Sequence, residues 1–144
     1  MSKQRDKGTK FETEAARWLT NRLGVEVRRN PLMASLDQGD LFGVFCDGKP
    51  FIFECKNCNE YEFTQWLNEL DREMECADSD VGCVLYHINH IGLSRMGEQG
   101  VLMKLSTFFR ILGIESEGMD EQRVFITLEA LCLILERKEK NGNH

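Results

Sequence analysis

Glu54 and Lys56, two residues apart in one apolar stretch, are the most chemically loaded pair in this chain. They close the run Pro50-Phe51-Ile52-Phe53-Glu54-Cys55-Lys56. That run reads as a strand, so the two side chains project on the same face. Two charges at the end of an apolar strand are costly unless they serve each other or a ligand. Asp40 opens the preceding apolar run, Leu41 to Cys46. Two carboxylates converging on one point make an oxygen site for a hard divalent cation such as Mg²⁺, with Mn²⁺ as a substitute. An ammonium beside that cation can orient or deprotonate a water, or stabilise charge on a phosphate. These groups suit phosphodiester hydrolysis, and no organic cofactor is implied.

The elements that must position them follow from pattern. Phe11, Ala15, Trp18, Leu19 and Leu23 recur at helical spacing, which predicts a helix from about Thr9 to Leu23, stopped by Gly24. Val25 to Arg29 alternates as a short strand, and Pro31 to Gly39 reads as a loop. Phe63, Trp66, Leu67, Leu70 and Met74 predict a helix over 62–76. Further strands are expected at Val81–His87, Val101–Leu105 and Arg123–Ile126, with helices from Ser106 and from Leu128 to Lys138. Asn89 to Gly100 reads as a loop. The α-β-β-β-α-β order implies an α/β (α+β) fold, a central mixed sheet flanked by helices.

The turn between the two apolar runs decides whether Asp40 meets Glu54. A two-residue turn at Asp47-Gly48 pairs Cys46 with Lys49 and sets Asp40 opposite Cys55, facing away from Glu54. A three-residue loop, Cys46-Asp47-Gly48, sets Asp40 opposite Glu54, with Gly48 at positive φ and a bulge. The chemistry favours the second, although a separate bulge near Asp40 would also correct the register.

The chain has 144 residues and a formal charge of −6, which on its face argues against a polyanionic partner. The distribution reverses that. Residues 1–30 hold eight basic and four acidic residues, a net of +4, and the other 114 carry −10. Segment 54–80 alone has nine acids against Lys56 and Arg72. No apolar run reaches the ~18 residues of a membrane helix. The polar start, Met1 to Lys10, is no secretory signal, and the six cysteines then imply a reducing cytoplasm rather than a disulfide framework. The lone Cys55-Lys56-Asn57-Cys58, even with His87 and His90, is a weak zinc signal.

The sequence resembles the PD-(D/E)xK nucleases. Gly39-Asp40 stands for the first acidic motif, with Gly39 where many members have proline, and Glu54-Cys55-Lys56 for the second. Within that superfamily it is most similar to the archaeal and phage-type Holliday junction resolvases. The similarity starts at Lys7-Gly8-Thr9-Lys10-Phe11-Glu12. It runs through Arg28-Arg29, the Ser35-to-Asp40 loop, Glu54-Cys55-Lys56-Asn57 and Gln65-Trp66-Leu67 to 101–112, covering residues 7–112. The resemblance implies a restriction-endonuclease-like core and a metal-dependent DNA endonuclease that acts as a homodimer on branched DNA. It places Glu12 (directly or through water), Asp40, Glu54 and the Cys55 carbonyl around the metal. Lys56 takes the catalytic role, and Gln65 is a candidate to orient a water or the lysine.

The remaining expectations concern DNA and organisation. Lys3, Arg5, Lys7 and Lys10 would form a basic flexible arm over 1–8 and just beyond, and Arg28, Arg29 and Ser35 would lie near the phosphate backbone. The acidic helix 62–76 should face away from DNA, with Trp66 and Leu67 in the core or a dimer contact. One nuclease domain spans 1–144, with 113–144 as a C-terminal extension, in a cytoplasmic protein of bacterial, phage or prophage origin. The competing functions are a restriction- or repair-type nuclease on linear duplex and a catalytically silent DNA-binding protein of the same fold.

Overall fold

The computed structural model describes residues 3–30, 39–118 and 122–142. Helix α1 (Lys3–Leu23) begins ahead of the expected Thr9, so the stretch read as a flexible basic arm is helical from Lys3 onward. Short strands β1 (Arg28–Arg29), β2 (Leu41–Phe42), β3 (Phe45–Cys46) and β4 (Lys49–Pro50) lead to the longer β5 (Ile52–Lys56). Helix α2 (Phe63–Cys76) and β6 (Gly82–Tyr86) come next, then β7 (Gly100–Lys104), α3 (Leu105–Leu112), β8 (Arg123–Thr127) and α4 (Leu128–Gly142). A 3-10 segment, Leu93–Glu98, interrupts the expected loop, burying Met96.

Among the described residues, six strands form one mixed sheet in the order β1-β2-β5-β6-β7-β8. Of these described strands, β5 and β6 run parallel, joined by the α2 crossover, and the other neighbours are antiparallel. β5 alternates its side chains between two cores. Phe53 joins Phe11, Ala15, Leu19, Leu41 and Leu131 under α1 and α4. Ile52 joins Trp66, Leu67, Leu70 and Met74 under α2. Each large side chain buried in this way contributes roughly 1.5–3 kcal/mol, and both faces of the central strands are covered, as their consecutive apolar residues require. The two expected long strands are each broken, because β3 and β4 leave the main sheet as a separate hairpin.

The turn differs from the expected one. Cys46 pairs with Lys49 and Phe45 with Pro50, a two-residue connection with both Asp47 (φ 53°) and Gly48 (φ 80°) left-handed. Gly48 has the expected positive φ, but the three-residue loop does not form. The register is corrected upstream. Val44 O accepts from Phe51 N–H at 2.8 Å, while Leu41 pairs with Phe53, so Phe42 and Gly43 together oppose Ile52. Gly43 supplies this bulge at φ 129°, and a Cβ there would lie 2.2 Å from the Glu26 carbonyl oxygen. One extra residue on this side puts Asp40 opposite Glu54.

Candidate active site

β2, β5 and α2 build the site between them. The Asp40 N–H donates to Phe53 O at 2.7 Å, and its Oδ2 accepts from Cys55 N–H at 2.7 Å. Asp40 O also accepts from Asn30 N–H at 2.8 Å, so the residue is held on three sides. Gly39 is required beside it: at φ 90°, an added Cβ would meet Ile52 Cγ2 at 2.9 Å and Phe53 O at 3.0 Å. Backbone groups alternate along a strand. Phe53 and Cys55 therefore face β2 together, and the Cys55 carbonyl lies on the same sheet edge as the Asp40 carboxylate.

Glu54 is 7% exposed and hydrogen-bonds Asp40. Burial, that hydrogen bond, the charge of Asp40 and the nearby Glu73 push its pKa up to about 11, against a smaller opposing pull from Lys56. Two buried carboxyl groups in contact are tolerated when one keeps its proton or a cation lies with them. The donor set of Asp40, Glu54 and a backbone carbonyl is all oxygen, which fits Mg²⁺ or Mn²⁺ and not a soft metal.

Lys56 Nζ lies 4.0 Å from Glu54 Oε2 and 2.5 Å from Glu69 Oε2. Burial works against its charge, but the Glu69 hydrogen bond and the charges of Glu54, Glu69 and Asp40 outweigh it and raise the pKa above the ordinary lysine value. The group is thus a fixed cation, suited to stabilising charge rather than to taking a proton. Gln65 Nε2 donates to Glu69 Oε1 at 3.2 Å, so Gln65 reaches Lys56 only through Glu69.

Glu12, on α1, stands across the sheet edge. Burial and Asp40 raise its pKa, partly offset by Arg29, whose Nε donates to Glu12 Oε1 at 3.3 Å. Glu12 is thus near Asp40 but tied to Arg29. Among the described residues no group of three or more His, Cys, Asp or Glu is gathered as a metal cluster. The close pair is Asp40 with Glu54, and Glu12 stands outside it.

The basic residues divide. Arg29 pairs with Glu12, and the Arg28 guanidinium sits 5.9 Å from the Phe42 ring centre. Lys7 donates to Asn59 Oδ1 at 3.0 Å, and its carbonyl accepts from Asn57 Nδ2 at 3.3 Å, which docks the start of α1 on the loop after Lys56. Lys10 is exposed. Ser35 and the side chains of Lys3 and Arg5 lie outside the described residues. His87 bonds Asn57 Oδ1 and Ile91 O through its two ring nitrogens, a structural arrangement.

Sequence reasoning missed Glu69 and Glu73. The acidic helix expected to face away turns these two, with Gln65, toward the site. Their spacing of four carried the signal, because it lines them up beside the buried Trp66 and Leu70.

A mixed sheet with helices on both faces, an Asp at the start of one strand and Glu-x-Lys on its neighbour, defines a restriction-endonuclease-like protein of the PD-(D/E)xK class. Residues 3–75 match the model of the family described as phage putative PDDEXK endonuclease, and the chain belongs to that family. It is accordingly a nuclease, with DNA as its substrate class. No curated protein matches the chain. Among the described residues no helix is long and apolar enough to cross a membrane.

Proposed function

We propose that this protein is a Mg²⁺-dependent endonuclease, Mn²⁺ substituting, that cleaves branched DNA as a homodimer of one nuclease domain per chain. The observation that carries the metal-dependent chemistry is the Asp40–Glu54 contact with the Lys56 ammonium 4.0 Å from Glu54. Asp40, Glu54 and the Cys55 carbonyl would hold the ion, with Glu12 entering directly or through water once released from Arg29. When bound, the cation supplies positive charge to the phosphate and makes water a better nucleophile at neutral pH. Lys56, held as a cation, stabilises the negative charge that develops on the phosphate oxygens. Asp40 keeps the Cys55 backbone in place through its 2.7 Å hydrogen bond. Arg28, Arg29, Lys7 and Lys10, with Lys3, Arg5 and Ser35, are proposed to contact the sugar-phosphate backbone, which gives affinity without sequence reading. The preference for branched DNA rests on the resemblance to junction resolvases.

The test incubates the protein with a four-way junction, a linear duplex and a single strand in Mg²⁺ or Mn²⁺, beside Glu54→Ala. Cutting of the junction in preference to duplex, lost in Glu54→Ala, is expected. Equal cutting of junction and duplex defeats branch selectivity and favours the linear-duplex reading. No cutting of any substrate with either metal defeats the catalytic proposal.

A further inference from the structure

We infer that Glu69 is a positioning residue that sets where the Lys56 ammonium stands, an inference that rests on the catalytic reading of Lys56 above. Lys56 Nζ approaches Glu69 Oε2 at 2.5 Å and Glu54 Oε2 only at 4.0 Å, so Glu69 is its principal partner. A lysine side chain carries four rotatable bonds, and its ammonium has no geometry of its own to hold it at one place. Lys56 is also only half-buried, and its charged end therefore needs an anchor.

Glu69 is built to be that anchor. It lies on α2 between Trp66 and Leu70, which are 3% and 2% exposed, so the backbone that carries it is fixed by packing on the sheet. Its other oxygen accepts from Gln65 Nε2 at 3.2 Å, one helical turn earlier, which limits rotation of the carboxylate. The arrangement runs Gln65 to Glu69 to Lys56, and it places the ammonium beside Glu54 rather than out in solvent. Gln65 then reaches the lysine through Glu69.

The test is a kinetic cycle on the full chain. Cleavage of the preferred DNA in Mg²⁺ is measured for wild type, Glu69→Ala, Glu69→Gln, Lys56→Ala and the Lys56→Ala/Glu69→Ala double variant. Circular dichroism and thermal unfolding confirm that each variant is folded. In Glu69→Ala, kcat should fall about 10- to 100-fold. KM for DNA and the Mg²⁺ concentration for half-maximal rate should stay within about twofold of wild type. Glu69→Gln, which keeps an acceptor oxygen at the same reach, should recover most of the rate. In the Lys56→Ala background, adding Glu69→Ala should cost nothing further, because its effect passes through the lysine. If wild type cleaves and Glu69→Ala cleaves at the same rate, the inference fails alone. Losses that add in the double variant, or a raised Mg²⁺ requirement in Glu69→Ala, also overturn it and point to a role at Glu54 or at the metal. A wild type that cleaves nothing overturns this inference together with the catalytic reading.

Discussion

Replacing Glu54 by glutamine should stabilise the metal-free protein at alkaline pH. In the folded chain the Glu54 carboxyl keeps its proton up to a pH of about 11, whereas the ordinary value is 4.5. A raised folded pKa means that folding is unpenalised below about 4.5, where both states hold the proton. As pH rises the unfolded chain ionises freely and the folded chain does not, so stability falls until the folded value is reached. The slope is about 1.4 kcal/mol per pH unit, an upper bound of about 4 kcal/mol between pH 5 and pH 8. Relaxation and water entry at a buried charge reduce this to about 2 kcal/mol. Glu54→Gln has the same shape, can still donate to Asp40, and does not titrate. In the presence of a chelator, urea unfolding at pH 8 should show the variant about 2 kcal/mol more stable than wild type, with the two within about 0.5 kcal/mol at pH 5. Saturating Mg²⁺ should then raise wild-type stability more than that of the variant, since only wild type retains both carboxylates. A variant less stable than wild type at pH 8, or a gap of equal size at both pH values, would refute the argument that Asp40 and Glu54 form a strained pair awaiting a cation.

Three further outcomes are expected. Lys56→Met should lower kcat by about 10²–10³ while leaving the Mg²⁺ requirement and the fold intact, read by single-turnover cleavage and circular dichroism. Gly43→Ala should destabilise by about 2–4 kcal/mol, because its Cβ would lie 2.2 Å from Glu26 O at a left-handed φ; thermal melts and loss of metal-dependent cleavage together would report the lost register at Asp40. DNA affinity measured in Ca²⁺ should fall steeply with salt, and Lys10→Ala should reduce the slope of log K against log salt by about 0.9; an unchanged slope would remove Lys10 from the interface.

Much of the architecture is legible before any coordinates, since it depends on local periodicity. The helical stripe of Phe63, Trp66, Leu67, Leu70 and Met74 anticipates α2 to within a residue, and the apolar runs anticipate β5 and β6. Alternation along β5 puts Glu54 and Lys56 on one face in any fold that keeps that strand. Chemistry requires the Asp40–Glu54 convergence and favours a three-residue turn as its cause, with a separate bulge as the alternative, and the structure realises the bulge. Turn type and bulge position differ by one residue of register, and the sequence carries glycines at both places, Gly43 and Gly48, that could serve either.

The sequence by itself therefore determined the main helices, strands β5 and β6 with their faces, and the Glu-x-Lys pair, because backbone periods of two and 3.6 residues act over neighbouring positions. Only the tertiary structure decided the partners. Gly43 must fold against Glu26 before the register of Asp40 is set. Arg29 must cross to α1 before it holds Glu12. Packing of α2 on β5 and β6 is what carries Glu69 from an acidic helix face to within 2.5 Å of Lys56. Each of these contacts joins residues 13 to 17 positions apart or joins separate elements, so no local pattern specifies them. They arise when buried apolar faces fix the elements against one another, and the charged side chains then take the partners within reach.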